Sequence, residues 1–242
     1  MKYHVSFDID LRRNPYKGLY IAIEGIDGSG KTTQVQSLDN YFKAKGRQVI
    51  KTGEPRKNKG VIGKLIGDIL LSKVKVPFAA FQHLMSAERA IHHEELVLPS
   101  LKSGKVVITD RCFWSAIPYG ILDLMKDEKK ERYNFKVGEV ILVAQSILSM
   151  YNQFTVPNFT FFLDVSVDTA IKRIGRKKGK QELYEKKGKL EKIDLGYKWL
   201  ARKFPQEITV VDGEGKVEEV TEEIIKKLEA RNPKSETIPK IK

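Results

Sequence analysis

Cysteine is nearly absent: Cys112 is the sole thiol in 242 residues. No intrachain disulfide can form, and the usage suits a reducing, cytoplasmic compartment. Apolar runs are short, and none approaches the roughly 20 residues a membrane-spanning helix needs. The polar start Met1-Lys2-Tyr3-His4 does not read as a signal peptide. No Pro/Gly/Ser-rich stretch, internal repeat or low-complexity segment interrupts the middle of the chain. A single α/β domain is therefore expected, and a hydrophobic fraction of 41 % is enough to fill its core. Residues 1–17 lack a clean period and are read as an N-terminal extension to a domain over 18–230, and 231–242 as a frayed tail.

Acidic residues are outnumbered, 31 against 44 Lys and Arg, leaving a formal charge of +13. The excess is local: between Lys172 and Lys203 there are 13 Lys/Arg against four acids. That clustering suits a segment closing over phosphates, with a solvated helix face as the alternative. A nucleic-acid surface fits less well, because no recognition motif or interleaving of aromatic and basic residues accompanies it. Neither a nucleic acid nor a membrane is expected as a partner.

What is present is a series of short apolar runs. Leu19–Glu24, Gln48–Thr52, Val106–Asp110, Phe159–Asp164 and Ile208–Asp212 alternate with stretches of helical spacing such as Thr33–Lys45, Phe78–Lys102 and Val217–Ala230. Five strands in such alternation predict a three-layer α/β/α fold around a mostly parallel sheet, with ligands at the carboxyl ends of its strands. The charged segment Lys126–Lys136 reads as an exposed connection.

The first strand runs straight into Gly25-Ile26-Asp27-Gly28-Ser29-Gly30-Lys31-Thr32-Thr33, which satisfies G-x-x-x-x-G-K-[ST]. Glycines let consecutive backbone N–H groups converge on one centre, and a helix N-terminus adds partial positive charge. Such a concavity holds an anion. Lys31 would then reach the β- and γ-phosphates, and the Thr32 hydroxyl would ligate the Mg²⁺ that bridges them. Asp27 would be repelled by phosphate, so it is expected to face the acceptor or a metal-bound water. The loop alone does not separate a kinase from a GTPase, a motor or a non-catalytic nucleotide binder.

Further along come Thr52-Gly-Glu-Pro55, Ala87-Glu-Arg89, Asp110-Arg111 at a strand end and Val211-Asp-Gly-Glu-Gly-Lys-Val217. Taken with the loop, in this order and spacing over Leu19–Leu228, they resemble the thymidylate kinase family. The resemblance implies a P-loop NTPase-type fold, ATP and dTMP as substrates, Mg²⁺ and a homodimer. It assigns Asp110 with Thr32 to the metal and Arg111 to the acceptor's phosphate. Arg89 would face the base, Ser115 and Tyr119 the sugar and base, and Glu54 the metal's waters or the acceptor. It also implies a mobile basic lid over about 173–185. There Arg176 is the candidate for stabilising the phosphoryl group in transit, with Arg173 and Lys178 as rivals, and Tyr184 and Glu185 touch the acceptor. Met85 stands where the family has an aromatic ring against the base, and Gly53 where it has an arginine that Arg56 or Lys57 would replace. Cys112 is read as a packed thiol, and His92-His93 as carrying no metal. The competing readings are a kinase for another nucleoside monophosphate, such as dUMP, and a non-catalytic nucleotide-binding protein. For the dimer face, Phe78–Leu98 and Val137–Tyr151 are expected to contribute.

Overall fold

The computed structural model describes residues 11–124, 150, 154–176 and 182–231. The Lys126–Lys136 connection, nearly all of the Val137–Tyr151 face, Lys178, the first ten residues and the end of the tail lie outside them. Five strands form one sheet in the order β2-β3-β1-β4-β5, and every pairing is parallel. They are β1 (Leu19–Glu24), β2 (Val49–Gly53), β3 (Val106–Asp110), β4 (Phe159–Asp164) and β5 (Ile208–Asp212).

Alternation along the strands feeds both faces of the sheet. Ile21, Ile23, Phe161 and Leu163 pack on one face against helix α1 (Lys31–Ala44) and helix α8 (Val217–Arg231) through Leu38, Phe42, Ile224 and Leu228. Ala22 and Phe162 pack on the other, under α2 (Gly60–Leu70), α5 (Ala116–Leu124) and α7 (Lys187–Lys203). The layers are thus α/β/α, and helix α6 (Val167–Gly175) lies beside the phosphate loop.

The expected helix Phe78–Lys102 is broken into α3 (Phe78–His92), a π-turn at His93–Val97 and α4 (Leu98–Lys102). Pro99 sits at the start of α4. Its ring would clash with the carbonyl four residues back and it has no N–H to donate, so the preceding turn widens. The extension's end is strapped down: Asn14 Nδ2 donates to Gly18 O and to Asn158 Oδ1, both at 2.8 Å, and Arg12 O accepts the Val156 N–H.

Register decides where the site falls. Ile23 and Gly53 both stand opposite Asp110. The ends of β1, β2 and β3 therefore deliver the phosphate loop, Glu54 and Arg111 to one edge. The chain leaves β1 toward β2 on one side of the sheet and leaves β3 for β4 on the other, which makes that edge a topological switch point.

Candidate active site

A cavity of about 600 Å³ opens at this edge. Of the expected site residues, Asp27, Gly28, Gly30, Lys31, Thr32, Thr33, Glu54, Met85, Arg89, Asp110, Arg111, Ser115, Tyr119, Arg176, Tyr184 and Glu185 all line it. Gly25, Ile26 and Ser29 stand behind the wall. Their part is structural at this stage: Gly25 O accepts from Arg111 Nη1 at 2.8 Å, and Ile26 O from Lys31 Nζ at 2.9 Å.

The loop's shape demands its glycines. Gly28 has φ +84°, and a Cβ there would sit 2.4 Å from Ala170 O in α6. Gly30, at φ +99°, caps α1 without a side-chain partner, so the first-turn N–H groups stay open to an anion. Lys31 is 6 % exposed and turned back onto its own loop, with Asp27 3.9 Å away. Burial and then the Arg111 charge draw its pKa down to about 8; a polyphosphate would push it back up.

Thr32 Oγ1 donates to Asp110 Oδ2 at 2.6 Å, so the two expected metal residues are adjacent. Two hard oxygens, one anionic, fit a Mg²⁺ that takes its other ligands from phosphate and water. Among the described residues there is no cluster of three or more His, Cys, Asp or Glu that would cage a metal alone. The fit is to a metal that arrives with its nucleotide.

Arg111 is held from several directions. It adopts φ +73°, a left-handed conformation that is uncommon for a side-chain-bearing residue and recurs at functional sites. Besides Gly25 O, its guanidinium donates to Tyr197 Oη at 2.8 Å and Asp27 Oδ1 at 2.6 Å, and lies 4.9 Å over the Tyr119 ring. Burial pushes the Asp27 carboxyl up, but Arg111 and Lys31 more than reverse this and hold it far below the usual range. Tyr119 Oη donates to the same carboxylate at 3.3 Å. Asp27 thus braces Arg111 in the cavity. Glu24, 1 % exposed, accepts from Tyr197 Oη, Ser115 Oγ and the Cys112 N–H, and so anchors the far side of this network.

Glu54 is committed to its neighbours. It takes the Arg89 Nε–H and lies 3.0 Å from His92 Nδ1, whose other nitrogen meets Thr52 Oγ1 at 2.7 Å. Burial raises the Glu54 pKa, but Arg89 and His92 pull harder and leave it below the ordinary value. His92, quiet in the sequence, is a brace in this chain, while His93 accepts the Thr155 N–H at 3.2 Å. Breaking a buried ion pair by removing one partner costs about 3–5 kcal/mol. Glu54→Ala should accordingly lower Tm by roughly 6–20 °C for a chain of this size. The depressed pKa also sets a sign: the carboxylate's stabilisation is complete above its unfolded value near about 4.3 and is lost as pH falls through its lower folded value. Acid unfolding of Glu54→Gln, followed by circular dichroism, should lack that component. A Glu54→Ala protein that melts with the wild type would contradict the brace.

In the lid segment, Arg173 is already helical. Its guanidinium donates to Gly213 O at 3.0 and 3.1 Å and to Ser29 O at 3.3 Å. Arg176 caps α6, is exposed and reaches the cavity. Tyr184 meets Tyr119 edge to face at 4.9 Å, and Glu185 accepts the Glu182 N–H at 2.7 Å. Of the two cations proposed to replace an arginine at Gly53, Lys57 lines the cavity and pairs with Glu182 at 2.5 Å. Arg56 instead pairs with Glu88 at 2.6 Å. Gly53 itself is tightly packed, since a Cβ there would lie 3.3 Å from Asp110 O.

Sequence reasoning missed Lys57's pairing, Leu70, Phe81, Gln82 and Tyr197. Phe81 and Gln82 share the α3 face of Met85 at helical spacing, a signal that was available. Tyr197 had none, since 86 residues separate it from Arg111.

A phosphate-binding loop at a parallel sheet's switch point, facing a braced guanidinium, defines the class as a P-loop phosphotransferase. A family model described as thymidylate kinase matches residues 23–133 and 139–224. The thymidylate kinase of Sulfurihydrogenibium sp. (strain YO3AOP1) is 31 % identical over 89 % of this chain and 98 % of that one. A probable thymidylate kinase of Thermococcus onnurineus is 34 % identical over 86 % of this chain and 95 % of that protein. The solved structure of thymidylate kinase from Candida albicans superposes with a TM-score of 0.73 at 24 % identity, covering 88 % of this chain and 92 % of that one. The chain belongs to the thymidylate kinase family.

Proposed function

We propose that this protein transfers the γ-phosphoryl group of ATP to dTMP, giving dTDP and ADP. Besides family membership, the observation that carries the reading is the grouping of two cations beside the phosphate loop. Lys31, Thr32 and the open N-terminus of α1 line the cavity together with Arg111, which Asp27 and Tyr197 brace, and the Asp27 carboxylate lies 3.9 Å from Lys31 and 2.6 Å from Arg111.

An acceptor phosphate must approach a polyanion, so fixed cations have to offset the repulsion and align the attacking oxygen. Arg111 does this for the acceptor, and Lys31 for the donor. Bound Mg²⁺ neutralises charge on the triphosphate, and Thr32 and Asp110 would hold it. Tyr119, backed by Tyr184, walls the sugar; Met85 and Arg89 meet the base, Arg89 being aimed by Glu54. The phosphate loop carries no arginine, so Arg176 supplies the cation for charge in transit. Glu185 shapes the segment carrying Tyr184. Magnesium dependence, a cytoplasmic setting and a homodimer belong to the same reading. Val61 and Ile91, 84 % and 40 % exposed on α2 and α3, offer apolar surface to a second copy.

The experiment is an ADP-release assay with Mg-ATP and dTMP, dUMP, dCMP, dGMP, UMP or thymidine as acceptor. Stimulation by dTMP, with dUMP weaker, is the expected result. A lead for another monophosphate would keep the fold chemistry and change the acceptor; no stimulation by any would remove the kinase reading.

A further inference from the structure

We propose that Gln82 reads the N3–H of the pyrimidine base, an inference that rests on the acceptor being dTMP. Gln82 lines the cavity from α3, three residues before Met85 and next to Phe81. It is only 7 % exposed, and its Oε1 is buried with no hydrogen-bond partner. A buried, unpaired acceptor is costly and rare in folded proteins, which makes it a site awaiting a donor.

The cavity's polarity says which donor. Its phosphate end is cationic, whereas this end is lined by Phe81, Met85 and Leu70, suited to a flat ring. Glu54 already accepts from Arg89, Asp27 from Arg111 and Asp110 from Thr32. Arg89 can only donate. An imide edge carries an N–H between two carbonyls. Arg89 serves a carbonyl, and the N3–H needs an acceptor. The Gln82 carboxamide turns about its soft terminal torsion, takes N3–H on Oε1 and offers its own N–H to the neighbouring carbonyl.

The test compares wild type and Gln82→Leu with dTMP and with its N3-methyl analogue, which has no N3–H. For dTMP, kcat/KM should fall about ten- to thirtyfold in the variant, mainly through KM. For the N3-methyl analogue, which is already poor, it should fall less than about threefold, because the partner is missing in both enzymes. The KM for ATP should be unchanged. Should Gln82→Leu not fold, Gln82→Met gives the same comparison. Equal losses for both acceptors would show a structural role and overturn the proposal, as would an unchanged kcat/KM for dTMP. A wild-type enzyme that ignores dTMP while accepting another monophosphate would overturn the acceptor assignment itself.

Discussion

Lys31→Ala should lower kcat for phosphoryl transfer by about a thousandfold or more while leaving the fold intact. Removing one preorganised donor from a developing charge typically costs 10²–10³ in kcat, and a lysine that spans two phosphates does more than one such donor. The structure supports an undamaged fold. Among the described residues Lys31 Nζ makes one hydrogen bond, to Ile26 O, and its desolvated charge opposes burial in the absence of a ligand. Single-turnover kinetics with saturating dTMP, beside a thermal melt, would check both parts. Near-normal turnover in a folded variant would remove the phosphate-loop assignment.

Arg111→Ala should be nearly as damaging, with kcat/KM for dTMP falling about 10³-fold and the KM for ATP changing little. The guanidinium serves through position as much as charge, being fixed by Gly25 O, Tyr197 Oη and Asp27. Arg111→Lys should recover only a small part, because an ammonium cannot keep that fork of contacts. Tyr197 and Glu24 bear on the same outcome from behind. Isothermal titration of dTMP into the variant separates lost binding from lost chemistry. Wild-type affinity for dTMP would show that the acceptor's phosphate is held elsewhere.

How much of this was legible in the sequence depended on distance along the chain. The five strands, the phosphate loop and Asp110-Arg111 are local signals: short apolar runs, glycine spacing and a charged pair at a strand end. Helix α2 was not foreseen, although Ile62, Leu65, Ile66 and Ile69 follow its period. Pro99 could have warned that Phe78–Lys102 would not run as one helix. The braces were beyond reach. Tyr197 meets Arg111 only because α7 lies under the same face of the sheet, and His92 meets Glu54 and Thr52 only because α3 packs beside the end of β2. Even Arg89 was legible as a residue and not as a geometry, since its aim comes from Glu54, 35 positions earlier.

The close approach at Gly28 closes a route through sequence space. The atoms that a Cβ would strike belong to the backbone of Ala170: its carbonyl oxygen, its carbonyl carbon and its Cα. No second substitution at position 170 can shrink a backbone, so a larger residue at position 28 has no single-site suppressor there. Accommodation would require α6 to slide as a whole, carrying Arg173 away from Ser29 O and Gly213 O. Variants at Gly28 should therefore be dead ends in directed evolution, recoverable by reversion rather than by compensation.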